Sequence, residues 1–222
     1  LLCLVGSEMC IRDRNYRLGP FGFFSHPELS AKTGSSGNQG FSDQIQSLKW
    51  VKENISQFGG DPNNITIFGE SAGSWSVNVL QASPLTKGLF HNAIGQSGAR
   101  LIPLTHLNKR TTYSKSAEEL GLDWSKVMAG NNTLSLQELK RIPPMTIISN
   151  LEKDPLYSTQ FDSLTVIDGT IIPEDISKIF ERGEQADVPI LIGSTADEAT
   201  PFDPKMLSPQ LASMSYKRLT HL

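Results

Sequence analysis

Five residues, Gly69-Glu70-Ser71-Ala72-Gly73, set a serine hydroxyl between two glycines, directly after the apolar run Ile65-Thr66-Ile67-Phe68 and before a stretch of helical composition, Ser74 to Leu80. A Gly-x-Ser-x-Gly at a strand-to-helix junction makes a strained, sharp turn that lifts the hydroxyl clear of a sheet. The glycines Gly69 and Gly73 remove side chains that would collide with the neighbouring strand and helix. Ser71 in that setting is a nucleophile. The helix that starts here directs its first N–H groups and the positive end of its dipole at a developing oxyanion, which makes the Ala72 backbone N–H one half of an oxyanion hole.

The elements that would position this turn are legible around it. Ile45, Leu48, Val51, Ile55 and Phe58 recur at steps of three or four and predict an amphipathic helix over Asp43 to Phe58, capped by Ser42 or Asp43 and stopped by Gly59-Gly60 and Pro62. Ile65 to Phe68 predicts a strand buried on both faces, and Asn92 to Ser97 and Val188 to Gly193 predict two more buried strands. Leu107 to Leu122 and Leu134 to Ile142 read as helices, with turns at Pro143-Pro144 and Asp168-Gly169. Strands alternating with helices imply a mostly parallel sheet covered by helices on both faces.

Composition removes several classes of function. The chain has 222 residues with 38% hydrophobic content, enough to bury a core. Its formal net charge is -3 and its basic residues are scattered, which excludes the electrostatic footprint of a nucleic-acid binder. No apolar run approaches the length of a membrane span. Both cysteines, Cys3 and Cys10, lie in the first ten residues, so no disulfide framework staples the rest. No metal or organic cofactor is implied.

Asn15-Tyr16-Arg17-Leu18-Gly19, Gly37-Asn38-Gln39-Gly40, Asp43-Gln44, Phe58-Gly59-Gly60-Asp61-Pro62 and the Ser71 pentapeptide together resemble the type-B carboxylesterases, relatives of the cholinesterases. Phe90-His91-Asn92-Ala93-Ile94, Gln96-Ser97-Gly98, Asp168-Gly169 and Val188 to Gly193 continue the likeness, which runs from residue 15 to about residue 200. The resemblance implies a partial α/β-hydrolase domain over 15–222. It further implies hydrolysis of small-molecule carboxylic esters through an acyl-enzyme. Asp197-Glu198-Ala199 stands where the family carries its triad acid, so Glu198 is the implied acid, with Ala199 replacing the usual glycine. Glu70 resembles the family's glutamate beside the nucleophile, and Ser97 its serine near the acid.

A serine hydroxyl needs a base. In this fold the triad runs serine, acid, histidine, which excludes His26, His91 and His106 by order and leaves only His221, 23 residues after Glu198. Family members place the base much farther on, in a Gly-x-x-His-like loop, so the resemblance implies a catalytic histidine beyond this chain. It likewise implies missing N-terminal strands, with the His-Gly-Gly-Gly-like loop that would supply the other oxyanion donors. Residues 1–14 do not read as the apolar strand that should precede Asn15, and are expected to be a non-native or disordered leader. The competing reading is a cholinesterase-like adhesion or binding protein without catalysis, as in neuroligin-type relatives. A lipase would share the chemistry.

Overall fold

The alternation of strand and helix resolves into a parallel sheet in the computed structural model, which describes residues 11–99, 101–112, 114–154, 165–196 and 198. In chain order the elements are α1 (Gly19–Phe23), α2 (Pro27–Thr33), α3 (Gln39–Asn54), β1 (Thr66–Glu70), α4 (Ala72–Ala82), β2 (Asn92–Gln96) and β3 (Thr105–His106). They continue with α5 (Ala117–Met128), α6 (Leu136–Leu139), α7 (Pro144–Leu151), β4 (Val166–Ile167), α8 (Ile176–Glu181) and β5 (Ile190–Gly193). The main sheet has the order β1-β2-β5, and both pairings are parallel. A second, two-stranded parallel sheet joins β3 to β4.

Local chemistry accounts for most boundaries. Capping boxes start α5 at Ser116 and Glu119 and α6 at Ser135 and Glu138, each serine and glutamate satisfying the other's backbone N–H. The helix expected from Leu107 therefore begins only at Ala117, and that expected over Leu134 to Ile142 contracts to Leu136–Leu139. Pro143-Pro144, expected as a turn, opens α7, because a proline in the first helical position loses only an N–H that has no helical partner.

The helix expected over Asp43 to Phe58 begins four residues earlier, at Gln39, and gives way to a 3-10 turn over Ile55–Phe58, ended by Gly59 in the left-handed region at φ 81°. Neither expected cap is used. Asp43 instead takes Arg17 in a two-point ion pair, from Nε at 2.8 Å and from Nη2 at 2.7 Å. Asn38, at the N-cap position, turns its amide on β4: Nδ2 donates to the Val166 carbonyl at 2.8 Å, and the Val166 N–H donates to Oδ1 at 3.3 Å. Asp43, an expected cap, and Asn38, the residue found at the N-cap position, thus both serve tertiary contacts.

The core forms along α3 and α4. Ile45 and Leu48 of α3 pack with Val77 and Leu80 of α4 and with Ile67 and Ala93 of the sheet. Val79 and Ala82 face a second cluster that holds Phe41, Ile176 and Ile179. A third cluster unites α5, α6 and α7 through Trp124, Met128, Leu139 and Ile147. α4 packs on β1 and β2 over the Ile67 and Ala93 face. On the opposite face Phe68, Ile94 and Leu191 stand side by side in register, and Phe68 is 51% and Leu191 65% exposed. The expectation that β1 is buried on both faces therefore fails among the described residues, and β5 is exposed along its whole length.

Candidate active site

The three main strands run the same way and end together, with Glu70, Gln96 and Gly193 aligned across the sheet. Each chain then turns at the carboxyl end, where parallel α/β sheets place their ligand sites. Ser71 follows β1, Ser97 follows β2, and Thr195 to Glu198 follows β5. The ladder continues one step past the strands: the Ser71 N–H donates to the Gln96 carbonyl at 2.9 Å, and the Ser97 N–H to the Gly193 carbonyl at 2.8 Å.

Ser71 has φ 51° and ψ -115°, a backbone conformation that non-glycine residues rarely adopt and that costs about 1–3 kcal/mol. Its surroundings hold it there. The Trp75 N–H donates to the Ser71 carbonyl at 3.0 Å as the first turn of α4, which leaves the Ala72 N–H ahead of the helical ladder. A Cβ on Gly69 would lie 2.4 Å from the Gly73 carbonyl carbon and 2.5 Å from its oxygen, so the strand end and the helix start can meet only over a glycine. Gly73 differs from the sequence reading. A Cβ there would meet nothing within 4 Å, so no collision among the described residues requires its glycine.

Gly98, which the sequence analysis assigns no role, closes the other side of the turn. A Cβ on it would fall 2.6 Å from the Ser71 carbonyl oxygen and 3.1 Å from the Trp75 ring. Ser74 adds a tether, its Oγ donating to the Gly98 carbonyl at 2.6 Å. The Gln96-Ser97-Gly98 motif held the clue, although only the β1–β2 register shows what Gly98 touches.

Glu198 lies in a turn after β5 and accepts the Thr195 N–H at 2.5 Å. A hydrogen bond from the Ser97 side chain, foremost, and that from Thr195 hold its carboxyl below the usual carboxylate range. The sequence-selected pair Ser97 and Glu198 is thus in contact. A catalytic acid should be buried, whereas Glu198 is exposed among the described residues. Asp197 and Ala199 lie outside those residues, as does His221. Ser71, Ala72 and Glu70 are exposed as well.

Two of the other histidines serve the scaffold. His26 caps α2, its Nδ1 accepting the Glu28 N–H at 3.2 Å, and burial lowers its pKa. His91 accepts the Ile65 N–H through Nδ1 at 3.1 Å, at the start of β2 and so at the opposite end of the sheet from Ser71. His106 is half-buried on β3, its residue paired with Ile167. Among the described residues no group of histidine, cysteine and carboxylate side chains could hold a metal ion, and no helix is long and apolar enough to cross a membrane. A cavity of about 430 Å³ lies elsewhere, among Phe21, Phe24, Met128, Leu139 and Ile147, and no elbow residue lines it.

A parallel sheet with a serine elbow between its first strand and a covering helix is the signature of the α/β-hydrolase class. A carboxylesterase structure from Geobacillus stearothermophilus superposes with a TM-score of 0.67 at 33% identity, over 92% of this chain and 42% of that one. The chain belongs to the carboxylesterase family, whose profile matches residues 11–221. It is 38% identical to the para-nitrobenzyl esterase of Bacillus subtilis (strain 168) over 195 residues, which are 88% of this chain and 38% of that protein. It is also 35% identical to human neuroligin-2 over 196 residues, 88% of this chain and 22% of that protein. The chain therefore spans less than half the length of these relatives, and its fold is a partial α/β-hydrolase.

Proposed function

We propose that the whole protein hydrolyses carboxylic esters through an acyl-enzyme on Ser71. The observation that carries this reading is the strained Ser71 backbone, held between Gly69 and Gly98 at the carboxyl end of the sheet. Strain of this kind persists only where the surrounding structure over-determines it, and it clusters at reactive sites.

Ser71 Oγ attacks the ester carbonyl, and its proton passes to a histidine base. The negative charge on the tetrahedral oxygen meets the Ala72 N–H. Collapse expels the alcohol, which takes the proton, and leaves the acyl group on Ser71. Water then attacks the acyl carbonyl with the same base accepting its proton, collapse breaks the bond to Ser71 Oγ, which takes that proton from the base, and the carboxylic acid departs. Glu198, kept ionised by Ser97 and Thr195, would orient the base and stabilise its cationic form. Glu70 lies beside the nucleophile as a further negative charge.

The 222-residue chain by itself is expected to turn over little ester, since among the described residues no histidine is hydrogen-bonded to Ser71. The relative's name makes p-nitrobenzyl esters reasonable probes. The likeness to neuroligin-2 favours a second reading, a binding protein on the same scaffold, and the presence of both Ser71 and Glu198 weighs against it. Treating the whole protein with a fluorophosphonate decides between them. The expected adduct is on the peptide holding Ser71 and vanishes in Ser71→Ala, whereas labelling at another residue, or none, refutes the assignment.

A further inference from the structure

The contact between α3 and α4 is built of Ile45, Leu48, Val77 and Leu80, and polar groups interrupt it at the end nearest Ser71. Gln44 is fully buried and Ser76 is 7% exposed. The Gln44 Nε2 donates to Ser76 Oγ at 3.2 Å, and Ser76 Oγ donates to the Ala72 carbonyl at 3.1 Å. This relay ends on the residue whose N–H is the candidate oxyanion donor. On the other side of the same helical turn, Ser74 Oγ is tied to the Gly98 carbonyl. The first turn of α4 is therefore pinned twice, from α3 and from the loop after β2.

Gln44 is a costly residue to keep there. Its Oε1 is buried without a partner among the described residues, a penalty that an apolar side chain of similar size avoids. A pair of aliphatic residues would join the two helices at lower cost. It would leave α4 free to slide and turn on the sheet, because apolar contacts are not directional. Buried hydrogen-bonded groups select one arrangement.

We infer that Gln44 is a positioning residue for the oxyanion site, acting through Ser76 to fix the first turn of α4 and with it the aim of the Ala72 N–H. The inference rests on the proposed role of Ser71 and Ala72. It concerns catalysis only through geometry, since Gln44 touches none of the reacting atoms.

The test is amide hydrogen exchange joined to fluorophosphonate kinetics, both on the whole protein. In Gln44→Met, which retains the volume, the Trp75 and Ser76 amides should exchange about tenfold faster, the loss of roughly one hydrogen bond. Exchange at Leu80 to Ala82 and the unfolding midpoint should stay unchanged. Ser76→Ala should reproduce the pattern, and the double variant should add nothing further. The maximal rate of Ser71 phosphonylation should drop about tenfold, with the concentration for half-maximal rate unaltered. Uniformly faster exchange along α4 with a lowered midpoint would make Gln44 a packing residue only, and unchanged exchange in the first turn would leave it no role. If the unsubstituted whole protein is not labelled at Ser71, the proposed function fails, and so does the link to catalysis. The exchange pattern would still decide whether Gln44 pins the turn.

Discussion

The two glycines of the elbow are equivalent in the sequence motif and unequal in the structure, which gives a sharp mutational contrast. A methyl group on Gly69 would sit 2.4–2.7 Å from three backbone atoms of Gly73. Ordinary van der Waals contact begins at about 3.4 Å, so β1 and the start of α4 must separate by roughly 1 Å, and backbone cannot yield as a side-chain tip does. Gly69→Ala should cost about 3 kcal/mol, the upper end for overpacking. Gly73→Ala places its methyl in open space at the second residue of α4, where alanine is the better helix former. It should change stability by less than about 1 kcal/mol, and in the favourable direction. Urea unfolding of the chain followed by tryptophan fluorescence measures both, with Trp75 four residues past Ser71 reporting locally. Equal losses for the two substitutions would refute this account of the turn. So would a Gly69→Ala chain that unfolds within about 0.5 kcal/mol of the parent.

Three further outcomes follow from the same contacts. Ser71→Gly should abolish fluorophosphonate labelling of the whole protein and raise stability in urea by about 1 kcal/mol, since glycine relieves the φ 51° backbone at some cost in chain entropy. Asn38→Ala leaves the Val166 N–H and carbonyl without the amide that pairs them in a buried place, and should destabilise the chain by about 3 kcal/mol by thermal or urea unfolding. On acidification, His26 acts with a definite sign. Burial lowers its folded pKa, so the unfolded chain takes the proton first, and the stability it supports is complete above the unfolded value of about 6.5. That stability is lost as pH falls through the folded pKa, with a slope of at most about 1.4 kcal/mol per pH unit, and His26→Asn, which keeps a cap but does not titrate, should flatten the profile between pH 7 and 5.

What the sequence disclosed was local. The Ser71 turn is a pentapeptide between a β-branched run and a helix, so its type and place follow from neighbouring residues. The capping boxes at Ser116 and Ser135 are equally local, each a Ser-x-x-Glu that sets the start of its helix, α5 or α6. The errors arise where a residue with a good local role is recruited from a distance. Asp43, expected to cap the helix, binds Arg17 instead, and Asn38, which stands at the N-cap position, binds Val166, 128 positions away. No window of sequence contains both partners. Proline is ambiguous for another reason: it ends one element and can begin the next, as Pro144 begins α7.

The pairing of β1 with β2 carries the site as much as any single side chain does. Ile67 opposite Ala93 and Gly69 opposite Gly95 set the buried face, and that same register delivers Gly98 to the Ser71 carbonyl and Ser74 to the Gly98 carbonyl. A slip of one residue would turn Ile67 outward and at once part Ser71 from the carbonyl of Gln96. Hydrophobic burial along Ile67 and Ala93 thus enforces the geometry at the strand ends. The polar tethers then need only fix the last turn: Ser74 from the sheet side and Gln44 through Ser76 from the helix side. This division explains how a strained serine is held. The core sets the strand on which it stands, and a few directed hydrogen bonds set the direction in which its helix begins.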